Sequence, residues 1–473
     1  MTLSRKTLFW TLTAVLSIRL LSLSSYPLMD TTEARYGEMA RLMFETGNWI
    51  TPQFDYGVPF WGKPPLFTWM SAAGVTLFGI NEFALRFPHW LAGVFVIFIL
   101  FSFAKRLGIS GVVAAIVVAS SGMFLIAAGA VMTDMALTLG ITIAMWGFYL
   151  CWESYDQDVP TLRWAFVGFS GLGVGLLAKG PIVILLVGLA IFPWLVINYG
   201  LGTGIVTFWR RIPIIRGLVL MTAIALPWYV LAEQATPGFL DYFFVGEHFK
   251  RFVVSGWEGD LYGTAHTETR GTIWLFWVYA AAPWSIILPL VIFTRIGDVK
   301  KIISNNKKLF SFLACWMASP LVFFSFAGNI LPAYVLPAIP PLGLIFSLIL
   351  ANRIWQTLWF PVAASIAPLL LIVTSIYIHV HLGEKRSDKA LLAHSNPSLP
   401  IYYIGKRPFS GQFYSHGQAK EIDMKATLPE LRSAQFIVTQ ESLPKITDSP
   451  FFDCKLVFEA HSGRSLYECQ TKL

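Results

Sequence analysis

Long apolar runs separated by short charged gaps dominate the chain. They cover residues 8–28, 66–80, 84–104, 109–130, 133–151, 164–178, 182–199, 213–231, 272–294, 309–327, 333–350 and 357–380. Most reach the ~18 apolar residues that a membrane-crossing helix needs, so the pattern predicts an α-helical polytopic membrane protein. The run at 66–80 is short and follows Lys63-Pro64-Pro65 directly, and is expected to lie in the interface as an amphipathic helix. The first run, Leu8 to Leu28, has no small-residue cleavage site after a short apolar core and reads as a retained helix. From His381 onward the apolar runs shrink to Leu399–Ile404, Gln435–Thr439, Leu456–Ala460 and Ser465–Cys469, parted by Gly, Pro, Ser and Asn as strands are. Thr427–Ser433 reads as a short helix with Thr427 as cap and Pro429 in its first turn. The expected organisation is a transmembrane domain over 1–380 and a small α/β domain over 381–473, with no internal repeat and no low-complexity segment.

Charge then sets the topology. Only 13% of residues are charged and 55% are hydrophobic, against about 25% charged in soluble domains. Lys and Arg cluster at nearly every second gap, as cytoplasmic loops require. If 66–80 does not cross, fourteen Lys/Arg lie inside and eight outside, the tail excluded, with 11 spans; counting variants of the same pattern gives about 11–13. The loops 29–83 and 232–271 and the C-terminal domain then share the outer side, the periplasm of a bacterial inner membrane. Asp134 and Lys179 fall on that face too, so residues distant in sequence are expected to converge there. Arg19, inside the first run, costs roughly 2.5–3.5 kcal/mol in hydrocarbon and is expected to pair with an acid of the bundle. Cys151 and Cys315 read as small buried hydrophobes. Cys454 and Cys469 flank two candidate strands and could pair across a hairpin in an oxidising compartment.

The ionisable residues of the outer face carry the candidate chemistry. Asp30 stands just past the first helix, followed by Glu33 and Arg35. A carboxylate there suits a general base or an acceptor-orienting group, or a plain helix N-cap. Glu33 and Arg35 suit substrate binding or a solvated helix face. Lys63 is held by Pro64-Pro65 at the start of the interfacial helix. Its ammonium suits a phosphate oxygen, or snorkels to any lipid head group. Asp134 and Lys179 are lone charges at transmembrane helix ends, which marks them as functional candidates beside the alternatives of N-cap and snorkelling lysine. The loop 232–271 carries Gly246-Glu247-His248-Phe249-Lys250-Arg251-Phe252, then His266, Glu268 and Arg270. Such a run can bind phosphate, sugar hydroxyls or a divalent metal, or form a solvated amphipathic helix. Asn329 to Tyr334 adds one more polar turn.

In order along the chain, several motifs resemble one family. They are Asp30-Thr31-Thr32-Glu33-Ala34-Arg35-Tyr36, Gly47-Asn48-Trp49, Lys63-Pro64-Pro65-Leu66, Glu82-Phe83-Ala84-Leu85-Arg86, Thr133-Asp134-Met135, Ala178-Lys179-Gly180-Pro181, Glu247-His248-Phe249-Lys250-Arg251-Phe252 and Leu331-Pro332-Ala333-Tyr334. As a series over residues 5–350 they resemble the bacterial polyprenyl-phosphate sugar transferases typified by the 4-amino-4-deoxy-L-arabinose lipid A transferase. That family is of GT-C type and distantly related to protein O-mannosyltransferases. The resemblance implies a sugar donor on undecaprenyl phosphate in the outer leaflet and an acceptor such as lipid A or another envelope glycan. Membrane lipids are further partners, and nucleic acid is not expected. It implies Asp30 as the catalytic carboxylate of an inverting transfer. Lys63, with Arg251 or Arg270, would hold the donor phosphate, while Asp134, Lys179 and His248 line the site. In this family an acid typically precedes Lys-Pro-Pro and is associated, with the loop histidine, with a metal. Here that position is Gly62, so a divalent metal would have to take His248 with Glu247 or Asp30. Transfer to a protein or polysaccharide shares the donor and differs in acceptor. A transporter of a polyprenyl-linked sugar fits less well, because transporter sites lie near the bilayer midplane and these charges gather at one face.

Overall fold

The computed structural model describes residues 4–250, 253–254, 259, 261–262, 268–350, 357–422, 433–444 and 452–472. Its membrane domain comprises α1 (Arg5–Ser22), α2 (Thr32–Thr46), α3 (Leu66–Phe78), α4 (Glu82–Arg106), α5 (Gly111–Ala119), α6 (Gly122–Ala127), α7 (Thr133–Asp156), α8 (Arg163–Lys179), α9 (Ile182–Tyr199), α10 (Leu201–Arg211) and α11 (Ile214–Ala235). It continues with α12 (Thr272–Ala280), α13 (Trp284–Thr294), α14 (Ile296–Asn305), α15 (Lys307–Ser325), α16 (Ile339–Ile349) and α17 (Trp359–Tyr377). Among the described residues 7 helices are long and apolar enough to cross a membrane, and 8 if the bent pair α12–α13 is one span. The remaining anticipated runs are helical but shorter or more charged. The first, α1, holds Arg5, Lys6 and Arg19; α8 has 17 residues; and the run at 109–130 is split into α5 and α6 at Ser120-Ser121.

The two interruptions explain each other. α12 and α13 meet at 90°. Gly122 N–H donates to Ala282 O at 3.0 Å, and Trp284 Nε1 donates to Ser120 Oγ at 3.0 Å. Backbone freed inside one broken span is thereby satisfied by the other, as hydrocarbon demands. The apolar helix α3 has 13 residues, about 20 Å at the helical rise and too short to cross.

α7 and α8 form an antiparallel pair joined through small residues. A Cβ added at Gly147 would stand 2.4 Å from Gly168 N, and one at Gly171 would stand 2.5 Å from Ala144 N. Such close backbone approach is the usual packing device of membrane helices. It fixes the start of α7, with Asp134, beside the end of α8, with Lys179.

Arg19 corrects the expectation of an acid partner. The side chain is 1% exposed. It donates to Ser22 Oγ at 2.8 Å and Ile126 O at 2.9 Å, with Tyr26 OH at 3.4 Å, and no carboxylate bonds it among the described residues. The absent side chain of Gly129 makes room for the guanidinium, since a Cβ there would lie 2.4 Å from it. Hydroxyl and carbonyl dipoles replace the expected anion.

The entry loop is a small core of its own. Leu28, Tyr36, Met39, Met43, Phe60 and Phe67 pack together above α4. Buried Arg86 at the start of α4 ties the loop down. It donates a hydrogen bond to each carboxylate oxygen of Glu33, both at 2.8 Å, and donates to Leu23 O and Tyr26 O at 2.7 and 2.8 Å. Glu33 is therefore an internal ion-pair partner and not part of a solvated face.

α17 runs on without interruption through Ile378–Leu382 and Gly383–Arg386, so position 380/381 lies inside a continuous helix. Beyond it is a five-stranded mixed sheet. With β1 (Gln53–Asp55) and β2 (Val58–Pro59) forming the entry-loop hairpin, its strands are β3 (Ile401–Ile404), β4 (Lys420–Ile422), β5 (Ser433–Thr439), β6 (Phe452–Glu459) and β7 (Arg464–Thr471), in the order β4-β3-β5-β7-β6. β3 pairs in parallel with β4 and β5, while β5–β7 and β7–β6 are antiparallel. The anticipated strands are present, and β4 was not foreseen. The helix anticipated over Thr427–Ser433 lies outside the described residues except for Ser433, which opens β5. Cys454 and Cys469 stand directly opposite in the β6–β7 register and are disulfide-bonded.

A short helix, α18 (Phe409–Tyr414), docks this domain on the entry loop. Tyr414 OH donates to Glu82 at 2.8 Å and accepts from Leu28 N–H at 2.7 Å. Lys389 pairs with Glu82 at 2.5 Å, Arg407 pairs with Asp55 at 2.9 Å, and Gln412 donates to Asp55 at 3.0 Å.

Candidate functional site

Four of the anticipated residues meet at a cavity of about 100 Å³ on the face that carries the C-terminal domain. Its polar lining is Lys63, Lys179, Glu247, His248, Asn329 and Tyr334, with Ile182, Phe323, Phe324 and Ala327 as apolar wall. Lys63 arrives from the entry loop, fixed by Pro64 and Pro65. Lys179 arrives on the last turn of α8. Glu247 and His248 arrive on a π-helical turn, Tyr242–Lys250, after α11. Asn329 and Tyr334 come from the turn after α15.

Each lysine is matched by a carboxylate. Lys179 Nζ lies 2.6 Å from Asp134 Oδ1, with both side chains about nine-tenths buried, and 4.2 Å from the centre of the Tyr334 ring. Lys63 Nζ lies 3.0 Å from Glu247 Oε2. Asp134 is not an N-cap: the cap position of α7 is Met132, without a side-chain bond. Buried pairs of this kind act in a low dielectric, where charge interactions are stronger than in water.

His248 ties two sides of the cavity together. Its Nδ1 is 2.8 Å from Phe243 O, and its Nε2 is 3.2 Å from Lys179 O. Burial lowers its pKa below the usual histidine range, helped by the nearby Lys63 charge. A neutral ring donates through one nitrogen only, and the shorter contact favours Nδ1–H. Tyr36, which the sequence reading did not single out, is buried with Arg35, Glu247, Lys179 and Asp134 as its charged neighbours, and burial raises its pKa.

Other anticipated residues lie elsewhere. Asp30 does not line the cavity. Its carboxylate accepts from Ser410 N–H at 3.0 Å and from Ser410 Oγ, and its own N–H donates to Arg386 O at 2.9 Å. Nor is it an N-cap, since the cap of α2 is Thr31. Burial raises its pKa, with the Ser410 hydrogen bonds opposing. Glu33 is held by Arg86, as described. Arg35 donates to Tyr262 O and lies over the rings of Tyr36 and Phe60, at 5.2 and 5.8 Å. Arg270 is exposed just before α12. Arg251 lies outside the described residues.

The described residues at this cavity do not form a metal-binding set. Among the described residues no group of three or more His, Cys, Asp or Glu could hold one. Glu247 already serves Lys63. Gly62 has no room for an acid, because a Cβ there would meet the Phe60 ring at 2.8 Å and Tyr262 at 3.3 Å. The cavity offers two ammonium groups, each paired with a carboxylate.

Comparison with known proteins places this arrangement. The family model for dolichyl-phosphate-mannose-protein mannosyltransferase matches residues 4–243, half of the chain. The chain belongs to this family. Similar members include an undecaprenyl phosphate-alpha-4-amino-4-deoxy-L-arabinose arabinosyl transferase of Pseudomonas fluorescens, 28% identical over 69% of this chain and 54% of that protein. A transferase of the same name from Erwinia tasmaniensis is 27% identical over 69% of this chain and 56% of its own length. The chain thus matches little more than half the length of these curated relatives. In three dimensions it is similar to ArnT from Cupriavidus metallidurans bound to undecaprenyl phosphate, with a TM-score of 0.74, 18% identity and 98% coverage of both chains. The apo form of that protein gives 0.71 with 20% identity and 97% coverage of both. The fold is therefore the GT-C type that the motif series implied, including the C-terminal domain.

Proposed function

We propose that the chain is an integral-membrane glycosyltransferase that moves a sugar from undecaprenyl phosphate to an envelope acceptor such as lipid A, inverting the anomeric carbon, on the periplasmic face. The observation that carries this reading is the pair of lysines at one cavity, each with its own carboxylate. The acceptor oxygen attacks the anomeric carbon while its bond to the phosphate oxygen breaks, and undecaprenyl phosphate leaves. Lys63 and Lys179 stabilise the charge that gathers on the departing phosphate. Asp134 stands behind Lys179 and holds it in place. A phosphate acceptor is already ionised near neutral pH and needs only orientation; a hydroxyl acceptor would need a base, and Glu247 is the carboxylate that lines the cavity. Asp30 then holds the C-terminal domain rather than acting on substrate. The names of the relatives support the polyprenyl donor. The Lys/Arg asymmetry and the Cys454–Cys469 disulfide support the periplasmic side.

The test is transfer of labelled sugar from the polyprenyl donor in membranes holding Lys63→Met or Lys179→Met. Both variants should lose transfer by at least about a hundredfold, as loss of an oxyanion-stabilising donor does. Full activity in either, with normal insertion, refutes the reading. The family's protein-mannosylating description favours a protein hydroxyl as the second acceptor to examine. Mass spectrometry of lipid A and of envelope proteins, with and without the gene, separates the two.

A further inference from the structure

The two carboxylates that pair with the cavity's lysines are held in different ways. Asp134 belongs to α7, locked against α8 through glycines. Glu247 belongs to the π-helical turn of a loop and reaches across to a lysine 184 positions earlier. Its side chain is 4% exposed and that of Lys63 is 17% exposed. Lys63 Nζ meets a single Glu247 oxygen, a contact that a phosphate oxygen can replace. Gly62, next to Lys63, is crowded by Phe60 and Tyr262, so a carboxylate can reach this ammonium only from another segment.

We propose that Glu247 is an internal stand-in for the substrate phosphate: it occupies the anion position at Lys63 when the site is empty and gives it up when the donor phosphate enters. This rests on the reading of Lys63 as a donor-phosphate ligand. An unpaired Lys63 ammonium in the buried site would be costly, so the pair holds the empty site together. The incoming phosphate brings its own negative charge and takes over Lys63. The exchange acts unequally on substrate and product. The donor is a phosphodiester with one negative charge, while the product is a phosphomonoester with about −1.5 to −2. Without competition the two lysines would hold the product more tightly than the donor. Glu247, returning to Lys63, speeds product departure.

Binding of undecaprenyl phosphate to the full-length purified chain tests this. Removing the competing charge with Glu247→Gln should tighten binding about tenfold, which corresponds to ~1.4 kcal/mol. The same variant should show stronger product inhibition and a lower kcat with a lower KM for donor. Lys63→Met should weaken binding, and Glu247→Gln should add no tightening in the Lys63→Met background. Glu247→Ala makes the same measurement if Glu247→Gln is not recovered folded. Weaker or unchanged binding in both Glu247 variants, with Lys63→Met weakened, overturns the stand-in role alone. Unchanged binding in Lys63→Met overturns the phosphate-ligand reading beneath it.

Discussion

Replacing Asp30 by Asn separates catalysis from scaffolding. The family resemblance makes Asp30 the catalytic carboxylate, whereas the structure joins it to Ser410 of the C-terminal domain. The amide oxygen of Asn can still accept from Ser410 N–H, and the charge-assisted bond to Ser410 Oγ becomes a neutral one. A bond to a charged group contributes about 1.5–3 kcal/mol and a neutral one about 1 kcal/mol. Against that loss stands the cost of burying the carboxylate. Its folded pKa is raised above the unfolded value, chiefly by burial. This favours the folded state fully below the unfolded pKa and is lost as pH rises through the folded one, so at neutral pH the charge costs stability and Asn removes that cost. The two terms nearly cancel, and Asp30→Asn should change stability by no more than about 1 kcal/mol. Transfer should stay within about threefold of wild type. Ser410→Ala leaves the buried carboxylate with one donor fewer and should cost about 1–3 kcal/mol, loosening the C-terminal domain to limited proteolysis. The assays are labelled-sugar transfer and thermal unfolding of the purified chain. A loss of turnover above a hundredfold in Asp30→Asn, with unfolding unchanged, would refute this reasoning and return Asp30 to the catalytic step.

Three further outcomes are expected. Asp134→Asn or Lys179→Met alone should cost about 3–5 kcal/mol by stranding a buried charge; the double variant should regain much of that in thermal unfolding yet stay inactive. Because burial lowers the His248 pKa, its neutral form is favoured in the fold. Its contribution is present above the unfolded pKa near 6.5 and is lost as pH falls toward the folded value. Thermal stability should therefore drop as pH falls below about 6.5, and His248→Gln should flatten that slope. Gly147→Val forces a side chain against the α8 backbone, where a Cβ would lie 2.4 Å from Gly168 N. It should part Asp134 from Lys179 and abolish transfer as well as lower stability, and activity at the wild-type level would show that the α7–α8 contact does not position the site.

Much of this molecule is legible because the bilayer imposes simple rules. Segment length shows that α3 cannot cross, and Pro64-Pro65 show that Lys63 is fixed. Charge placement groups Lys63, Lys179 and His248 on one face, where contacts in the structure join them. What escapes the sequence depends on partners that no local pattern names. The breaks at Ser120-Ser121 and near Pro283 look like uninterrupted spans because each is satisfied by the other, 164 residues away in the case of Trp284 and Ser120. Arg19 invites a search for an acid, yet Gly129 and three oxygen partners suffice. Glu247 beside His248 suggests a metal pair, while in the structure it pairs with Lys63.

Asp30 opens a motif whose two ends lie in different parts of the structure. The far end of the motif from Asp30 to Tyr36 turns toward the site: Arg35 lies over the rings of Tyr36 and Phe60, and Tyr36 has Glu247 and Asp134 among its charged neighbours. Its first residue turns the other way, toward a serine 380 positions later. The same segment thus places one end beside the charged residues of the site and the other at the joint with the C-terminal domain. Glu82, Asp55 and Asp30 all face that joint and all bond α18 or its flanks. Of the acids between Asp30 and Glu82, Asp30, Asp55 and Glu82 bond the C-terminal domain, while Glu33 pairs with Arg86 and Glu38 and Glu45 pair with Arg41; among the described residues the carboxylates paired with the two lysines come from α7 and from the distant 232–271 loop.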